Sequence, residues 1–156
     1  MAAISFKSVG DLADNPRSVQ PVQPQPVGIS TPVNYSSKTG GPFAMSNVVL
    51  DQMIDNFRNM LLINHGERLP FYDFGANLRA LLTERLSLAD YDEQAMLLVK
   101  STTEKYMPFI SLGSFETQIL NTDQNGISKI KVRINFSIPR LSTSVKVVEI
   151  IITNIG

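Results

Sequence analysis

The amino-acid sequence contains no cysteine, no tryptophan and only one histidine, His65, among its 156 residues. The lack of cysteine excludes disulfides and thiolate metal sites, and one histidine cannot form a cluster of imidazole ligands. Neither a Gly-x-Ser-x-Gly motif nor a phosphate-binding Gly-Lys-Ser/Thr sequence occurs. We therefore expect no metal, no cofactor and no nucleophilic triad, and we interpret His65 as a residue at a helix end.

Charged residues are few and balanced: they make up 18% of the chain, and 14 Lys and Arg match 14 Asp and Glu. A nucleic-acid-binding domain normally has a basic face and a high isoelectric point, whereas this sequence has a pI of about 6.6. No apolar run reaches the roughly 18–20 residues of a membrane span, and no secretory signal pattern opens the chain. We expect a protein that is made in the cytoplasm and binds neither nucleic acid nor membrane.

Proline is concentrated near the N-terminus, where six of the nine prolines lie within residues 1–45. Because proline fixes φ and favours extended geometry in the residue before it, we predict an extended segment over residues 1–45 and a folded domain over 46–156. Two interpretations stay open: a disordered tail, or an arm that lies across a neighbouring subunit. In the second interpretation three aromatic side chains anchor the arm: Phe6, Tyr35 and Phe43.

Helical periodicity begins after this Pro-rich segment. Apolar residues recur at helical spacing over residues 46–63 behind Ser46, a favourable N-cap residue, and a short helix is predicted over 76–84. Ser87 and Asp90 resemble a capping box that begins a third helix, which Pro108 ends. The sequence thus predicts three helices before any strand.

Strand periodicity dominates the last third of the chain. Residues 130–138 alternate between apolar and polar, which is typical of an antiparallel strand with one buried face. Asn125-Gly126 predicts a hairpin turn before it, with residues 115–120 as its partner and residues 145–152 as a last strand. The predicted fold class is α+β, with three N-terminal helices packed on a small antiparallel β-meander and preceded by the extended Pro-rich arm.

The last strand is apolar on both faces, which allows two interpretations. Such a strand is normally central in its sheet, but a strand that ends a meander can also lie at the edge, where an apolar surface needs a cover. A second chain covers an edge by β-augmentation, adding a strand through main-chain hydrogen bonds. The residues expected to face that partner are Val145, Val147, Glu149, Ile151 and Thr153.

Residues 66–75 form an unusually long and aromatic connection, because helix–helix connections usually have roughly 2–8 residues. The residues that carry the pattern are Gly66, Glu67, Arg68, Phe74, Gly75, Leu78, Leu82 and Glu84. This pattern resembles the sheath initiators, small baseplate wedge proteins of contractile phage tails whose family includes a type VI secretion baseplate subunit. The resemblance extends from about residue 48 to the end of the sequence.

The end of the third helix carries a second point of resemblance. Relatives have a tyrosine or similar residue followed by Glu-Pro-Arg, which implies contact with a bundle of neighbouring wedge subunits; this chain has Tyr106-Met107-Pro108-Phe109. Apolar residues replace both charges, so we expect a hydrophobic form of that contact or a different surface. Arg68 either ties the 66–75 loop to its own helices or binds a partner. The residues expected to face the wedge are Gly66, Arg68, Phe74, Gly75, Tyr106, Met107, Pro108 and Phe109.

Some members of this family have been described as lysozyme-like. A glycosidase needs two opposed carboxyl groups, one of which holds a proton, and the candidates near the 66–75 loop are Glu67, Asp73 and Glu84. The chain has no tryptophan and only four tyrosines to stack on sugar rings. We therefore expect no enzymatic activity, with a peptidoglycan-degrading enzyme as the alternative.

The resemblance implies a structural protein of the virion, located in the tail baseplate. It implies that several copies around the tail axis link the baseplate wedge to the first sheath ring and template sheath assembly by β-strand augmentation. The implied partners are the wedge subunits and the tail sheath protein, with a tube or hub component reached through the N-terminal arm. The alternatives are a subunit of a type VI secretion or related contractile-injection baseplate, and an adaptor domain unrelated to tails.

Overall fold

The computed structural model describes residues 25–36, 42–83, 88–122 and 128–154. A two-stranded sheet comes first, three helices follow, and a three-stranded antiparallel sheet comes last. In chain order the elements are β1 (Gly28–Ile29), β2 (Met45–Ser46), α1 (Val49–Leu62), α2 (Leu78–Thr83), α3 (Leu88–Tyr106), β3 (Ser111–Thr122), β4 (Ser128–Ile138) and β5 (Ser142–Asn154).

The first sheet joins β1 to β2 in antiparallel pairing, with Gly28 opposite Ser46. An isolated bridge between Tyr35 and Phe43 continues the pairing of the two chain segments. The backbone N–H of Thr31 donates to the Asp55 carboxylate of α1 at 2.9 Å. This hydrogen bond ties the segment after β1 to the first helix.

The predicted fold class is wrong, because this first sheet precedes the helices. The described chain is therefore not a set of three N-terminal helices on a meander behind an extended arm. Strands of two residues are too short to show an alternating pattern, and Pro32 and Pro42 lie outside them, where they remove no donor from the pairing. The main chain instead finds partners within the segment, such as Val27 N–H to the Ser46 carbonyl at 2.8 Å.

The first helix begins at Val49, three residues after the predicted start. Ser46 does not cap it, because this residue belongs to β2 and its hydroxyl donates to the Val48 carbonyl at 3.1 Å. The buried face of α1 consists of Phe57, Met60 and Leu61. The third helix ends at Tyr106, two residues before Pro108.

The second sheet has the strand order β3-β4-β5, with antiparallel pairing throughout. The predicted alternation in β4 is confirmed, since every second residue is buried: Ile130, Val132, Ile134, Phe136 and Ile138. β5 lies at an edge of the sheet as described, not at its centre. It buries Val148, Ile150 and Ile152 on the helix side and turns its intervening apolar residues outward.

The hydrophobic core lies between this sheet and the helices. The rings of Phe57 in α1 and Phe136 in β4 have centroids 4.8 Å apart. α1 and α2 pack against β5, whereas α3 packs against β3. Within the described part of the chain, no helix is long and apolar enough to cross a membrane.

Candidate functional site

The connection between α1 and α2 is held by its own main chain. Gly66 and Gly75 have φ values of +85° and +111°, a backbone region that glycine enters more readily than residues with a side chain. The Gly66 N–H donates to the Tyr72 carbonyl at 2.7 Å, and the Phe74 N–H donates to the Phe71 carbonyl at 3.1 Å. These bonds close the 66–75 loop on itself.

Gly75 lies directly against the end of α1. A Cβ at this position would lie 2.2 Å from the Ile63 carbonyl oxygen. The Gly75 carbonyl accepts a hydrogen bond from the buried Thr102 hydroxyl of α3 at 3.2 Å, and His65 Nε2 lies 3.1 Å from the same oxygen. The single histidine therefore belongs to the contacts that join the loop to the helices.

Aromatic and charged side chains attach the 66–75 loop to the end of α3. The guanidinium carbon of Arg68 lies 4.4 Å from the centroid of the Phe74 ring, in cation–π geometry. That ring packs edge-on against Tyr106, with centroids 4.9 Å apart. The Tyr106 hydroxyl donates to Asp73 Oδ1 at 2.6 Å, and Lys105 forms an ion pair with Asp73. Arg68 and Phe74 thus make contacts within their own chain.

The two described carboxylates of the loop are both held in the ionised form. Hydrogen bonds from Lys105 and Tyr106 lower the pKa of Asp73 to about 2. The pKa of Glu67 is also lowered, because the backbone N–H and side-chain amide of Asn64 donate to it at 2.9 and 2.7 Å. A glycosidase acid must keep its proton near the working pH, which neither environment favours.

Glu84, the third carboxyl that the sequence analysis considered, lies outside the described residues. Among the residues that the structure does describe, no group of three or more Asp, Glu or His side chains is placed to hold a metal ion. The site therefore offers contacts and ionised carboxylates, with no cluster of ligands in the described chain.

Three apolar side chains at the tip of the 66–75 loop point into solvent. Leu69, Phe71 and Tyr72 are 74%, 52% and 64% exposed, and we call these three residues the loop tip. None of the three was predicted from the sequence, where the aromatic residue selected in this loop was Phe74, which packs on Arg68 and Tyr106. The available signal was Leu-Pro-Phe-Tyr in the middle of a loop bounded by two glycines. Exposed large apolar groups on an ordered loop are typical of a protein-binding surface.

The chain after α3 returns towards the core. Met107 and Ile110 are buried, Phe109 is half-buried and Pro108 is exposed. The Met107 N–H donates to the Thr103 carbonyl at 2.8 Å, and the Ile110 N–H donates to the Met107 carbonyl at 3.0 Å. Tyr106 and Pro108 are thus more accessible to a partner than Met107.

The outward row of β5 contains the residues predicted to face a sheath strand. Val145, Val147 and Ile151 are exposed, and Thr153 is half-buried. Glu149 in the same row forms ion pairs with Lys131 and Arg133 of β4, at N–O distances of 2.8 and 3.3 Å. The row is therefore apolar except at Glu149, whose charge is balanced by the two cations of β4.

Two of the three predicted arm anchors lie together. The rings of Tyr35 and Phe43 stack with centroids 5.8 Å apart, and Tyr35 is 87% exposed. Phe6 lies outside the described residues. The stacked pair is a second exposed aromatic feature of the described chain, apart from the loop tip.

The environment of Asp73 predicts a measurable pH response. Because the pKa is lower in the folded protein than the ordinary value of about 3.9, ionised Asp73 stabilises the fold above that value, and the contribution is lost as the pH falls towards 2. Replacing Tyr106 by Phe removes one donor and is expected to raise the pKa of Asp73. Carboxyl carbon chemical shifts, followed by NMR from neutral to acid pH, measure this change.

The same titration contains its own control. Pairing with Lys131 lowers the pKa of Glu149 at a separate place in the fold, and this pKa is expected to stay the same in Tyr106→Phe. An Asp73 carboxyl that titrates at the ordinary aspartate value in the unmodified protein would contradict the contacts with Lys105 and Tyr106.

Comparisons with known proteins give structural similarities only. No family model and no curated protein sequence matches the chain. The fold is similar to a chain in the baseplate of the anti-feeding prophage, with a TM-score of 0.49 and 10% identity over 80% of this chain and 82% of the other. It is also similar to a candidate tail lysozyme from Geobacter sulfurreducens, with a TM-score of 0.49 and 14% identity over 69% of this chain and 90% of the other. At these values neither similarity assigns a function to the chain.

Proposed function

We propose that this protein is a structural subunit of a contractile-tail baseplate, which joins the baseplate wedge to the first sheath ring and templates sheath assembly by β-strand augmentation. The observation that carries the proposal is the position of β5. This 13-residue strand pairs only with β4 among the described strands, so within the described chain its other side is an open edge.

The side chains of β5 favour a partner strand at that edge. An edge strand normally avoids pairing with other chains by carrying charged residues, proline or a bulge. The outward row of β5 instead has three exposed apolar residues, Val145, Val147 and Ile151. Its one acid, Glu149, is neutralised by cations of β4. An added strand would gain main-chain hydrogen bonds and cross-strand contacts with these side chains.

The wedge-facing surface in this proposal is the loop tip together with the adjoining end of α3. Leu69, Phe71 and Tyr72 supply exposed apolar area, and such side chains are typical anchors of protein interfaces. The remaining loop residues hold the tip in place: Gly66 and Gly75 allow the turn, Arg68 and Phe74 pack on Tyr106. A pre-ordered loop loses less conformational entropy on binding than a flexible one.

The N-terminal segment is assigned a third contact. Within residues 1–45, the described segment that pairs with β2 and is tied to α1 through Thr31 contacts a neighbouring tail component through its exposed side chains, and residues 46–156 form the wedge and sheath domain. What supports this assignment is the exposed stack of Tyr35 on Phe43, beside a sequence rich in proline. The protein acts in several copies around the tail axis of a virion, and a subunit of a type VI secretion baseplate is the alternative within the same class. It catalyses no reaction.

The test of β-augmentation is a single charge placed at the open edge. Val147→Lys puts a cation in the outward row, and edge lysines oppose strand addition. We expect baseplates that carry this variant to recruit sheath about tenfold less often or worse, which corresponds to about 1.4 kcal/mol or more of lost binding. The fraction of tails with sheath, counted by electron microscopy of particles assembled with the variant, measures the effect.

Gln118→Lys is the matched control. Gln118 is also exposed and lies on β3, at the opposite edge of the sheet, so the variant adds the same charge to the same sheet. It is expected to leave sheath recruitment unchanged, and both variants should keep the melting temperature, since both positions are exposed. Equal loss in both variants, or normal sheath with Val147→Lys, would refute the role of β5.

A further inference from the structure

A hollow of about 460 Å³ lies beside β5, where the strand meets the end of α1. Side chains of α1, β4, β5 and the end of β3 line it, including Arg58, Leu62, Leu120, Lys131, Glu149 and Ile151. A second hollow of about 260 Å³ shares Arg58 and Leu62 with the first and continues to Thr31 and Pro32. Residues of α1 and β5 therefore line one concave surface, which extends across β4 to the end of β3.

The lining of the larger hollow is apolar with an excess of positive charge. Leu62, Leu120 and Ile151 are exposed apolar side chains there. Glu149 is shared between Lys131 and Arg133, so the single carboxylate already faces two cations. Arg58 is exposed, and within the described part of the chain it makes no ion pair or side-chain hydrogen bond. One guanidinium is thus available to an incoming group.

We infer that the strand added to β5 carries a carboxylate side chain that binds Arg58, with apolar side chains on either side of it. This inference rests on the proposed β-augmentation and specifies the partner of that same edge. A guanidinium matches a carboxylate with two parallel hydrogen bonds, and the neighbouring Leu62 and Ile151 suit apolar groups. Charge complementarity with Arg58 selects an acidic strand over a basic one.

Three short synthetic peptides test this assignment on the full chain. Each alternates valine with threonine and differs only at its centre, which is Glu, Gln or Lys. Amide chemical shifts give the affinity, and hydrogen exchange of the β5 amides reports whether a strand has been added. We expect the Glu peptide to bind about 5- to 10-fold more tightly than the Gln peptide, and the Lys peptide to bind least.

Two protein variants assign this preference to one side chain. In Arg58→Gln the affinities of the Glu and Gln peptides should become equal. Arg140→Gln removes another exposed cation, in the turn between β4 and β5, and should keep the preference of the unmodified protein. Arg58 is exposed, so its replacement should leave the melting temperature unchanged and the comparison valid.

The possible outcomes separate this inference from the proposal on which it rests. If all three peptides protect the β5 amides with equal affinity, β5 is an accepting edge and the role of Arg58 is overturned. If the Arg58→Gln protein still binds the Glu peptide more tightly than the Gln peptide, another cation binds the carboxylate and the inference is again overturned. If no peptide protects the β5 amides, strand addition itself is refuted, and the inference falls with it.

Discussion

Gly75→Ala is expected to lower the free energy of unfolding by about 2–6 kcal/mol, a large part of the stability of a small domain. Two costs act together. The backbone has a φ of +111°, which an L side chain rarely adopts, and the new Cβ would lie 2.2 Å from the Ile63 carbonyl oxygen. Urea denaturation followed by circular dichroism measures the loss. Since Gly75 also binds Thr102, we expect the hydrogen bonds between loop and α3 to weaken with it.

Gly66→Ala separates the cost of the unfavourable backbone φ from the cost of the steric clash. Its φ of +85° is similarly unfavourable, but a Cβ there would meet no atom within 4 Å. We therefore expect only the conformational cost, about 1–2 kcal/mol. Equal losses in the two variants would contradict the close approach of Gly75 to α1. A Gly75→Ala protein as stable as the unmodified one would contradict the loop geometry as a whole.

Signals that are local along the chain predicted the structure better than signals that depend on contacts between distant residues. The alternation of β4 was predicted correctly, because side chains of a half-buried strand repeat every two residues, and Ile130 to Ile138 show that period without interruption. The pairing of β1 with β2 was missed for the opposite reason. Two strands of two residues have no period, and their partners, such as Gly28 and Ser46, are far apart in sequence.

In the candidate site, too, contacts between residues distant in sequence could not be predicted. The glycines and aromatics of the 66–75 loop identified the segment, but not which aromatics are packed. Asp73 meets Lys105 and Tyr106 across more than thirty residues of sequence, a contact that depends on how α3 packs. The edge position of β5 was likewise undecided in the sequence, because a two-sided apolar strand fits the centre as well as an edge. The strand order resolves this alternative.

A second large loss in the free energy of unfolding is expected from substitutions at the contact between α1 and the three-stranded sheet. Phe57 and Phe136 are 0% and 1% exposed, and their rings lie 4.8 Å apart. Truncating a buried phenylalanine removes its transfer free energy and leaves a cavity, so Phe136→Ala should cost about 3–5 kcal/mol. Urea denaturation of Phe57→Ala, Phe136→Ala and the double variant measures the coupling, which aromatic pairs typically contribute at about 0.5–1.5 kcal/mol.

Phe71→Ala is the matched control, because it removes the same side chain from a position that is 52% exposed. We expect its free energy of unfolding to change by no more than about 0.5 kcal/mol, while its incorporation into baseplates falls. A stable Phe71→Ala protein that enters baseplates normally would refute the loop tip as a partner surface. A loss of stability close to that of Phe136→Ala would mean that Phe71 packs within its own chain, and the loop would then be a structural element of the domain. The two substitutions thus distinguish aromatic residues that fold the chain from those that bind its neighbour.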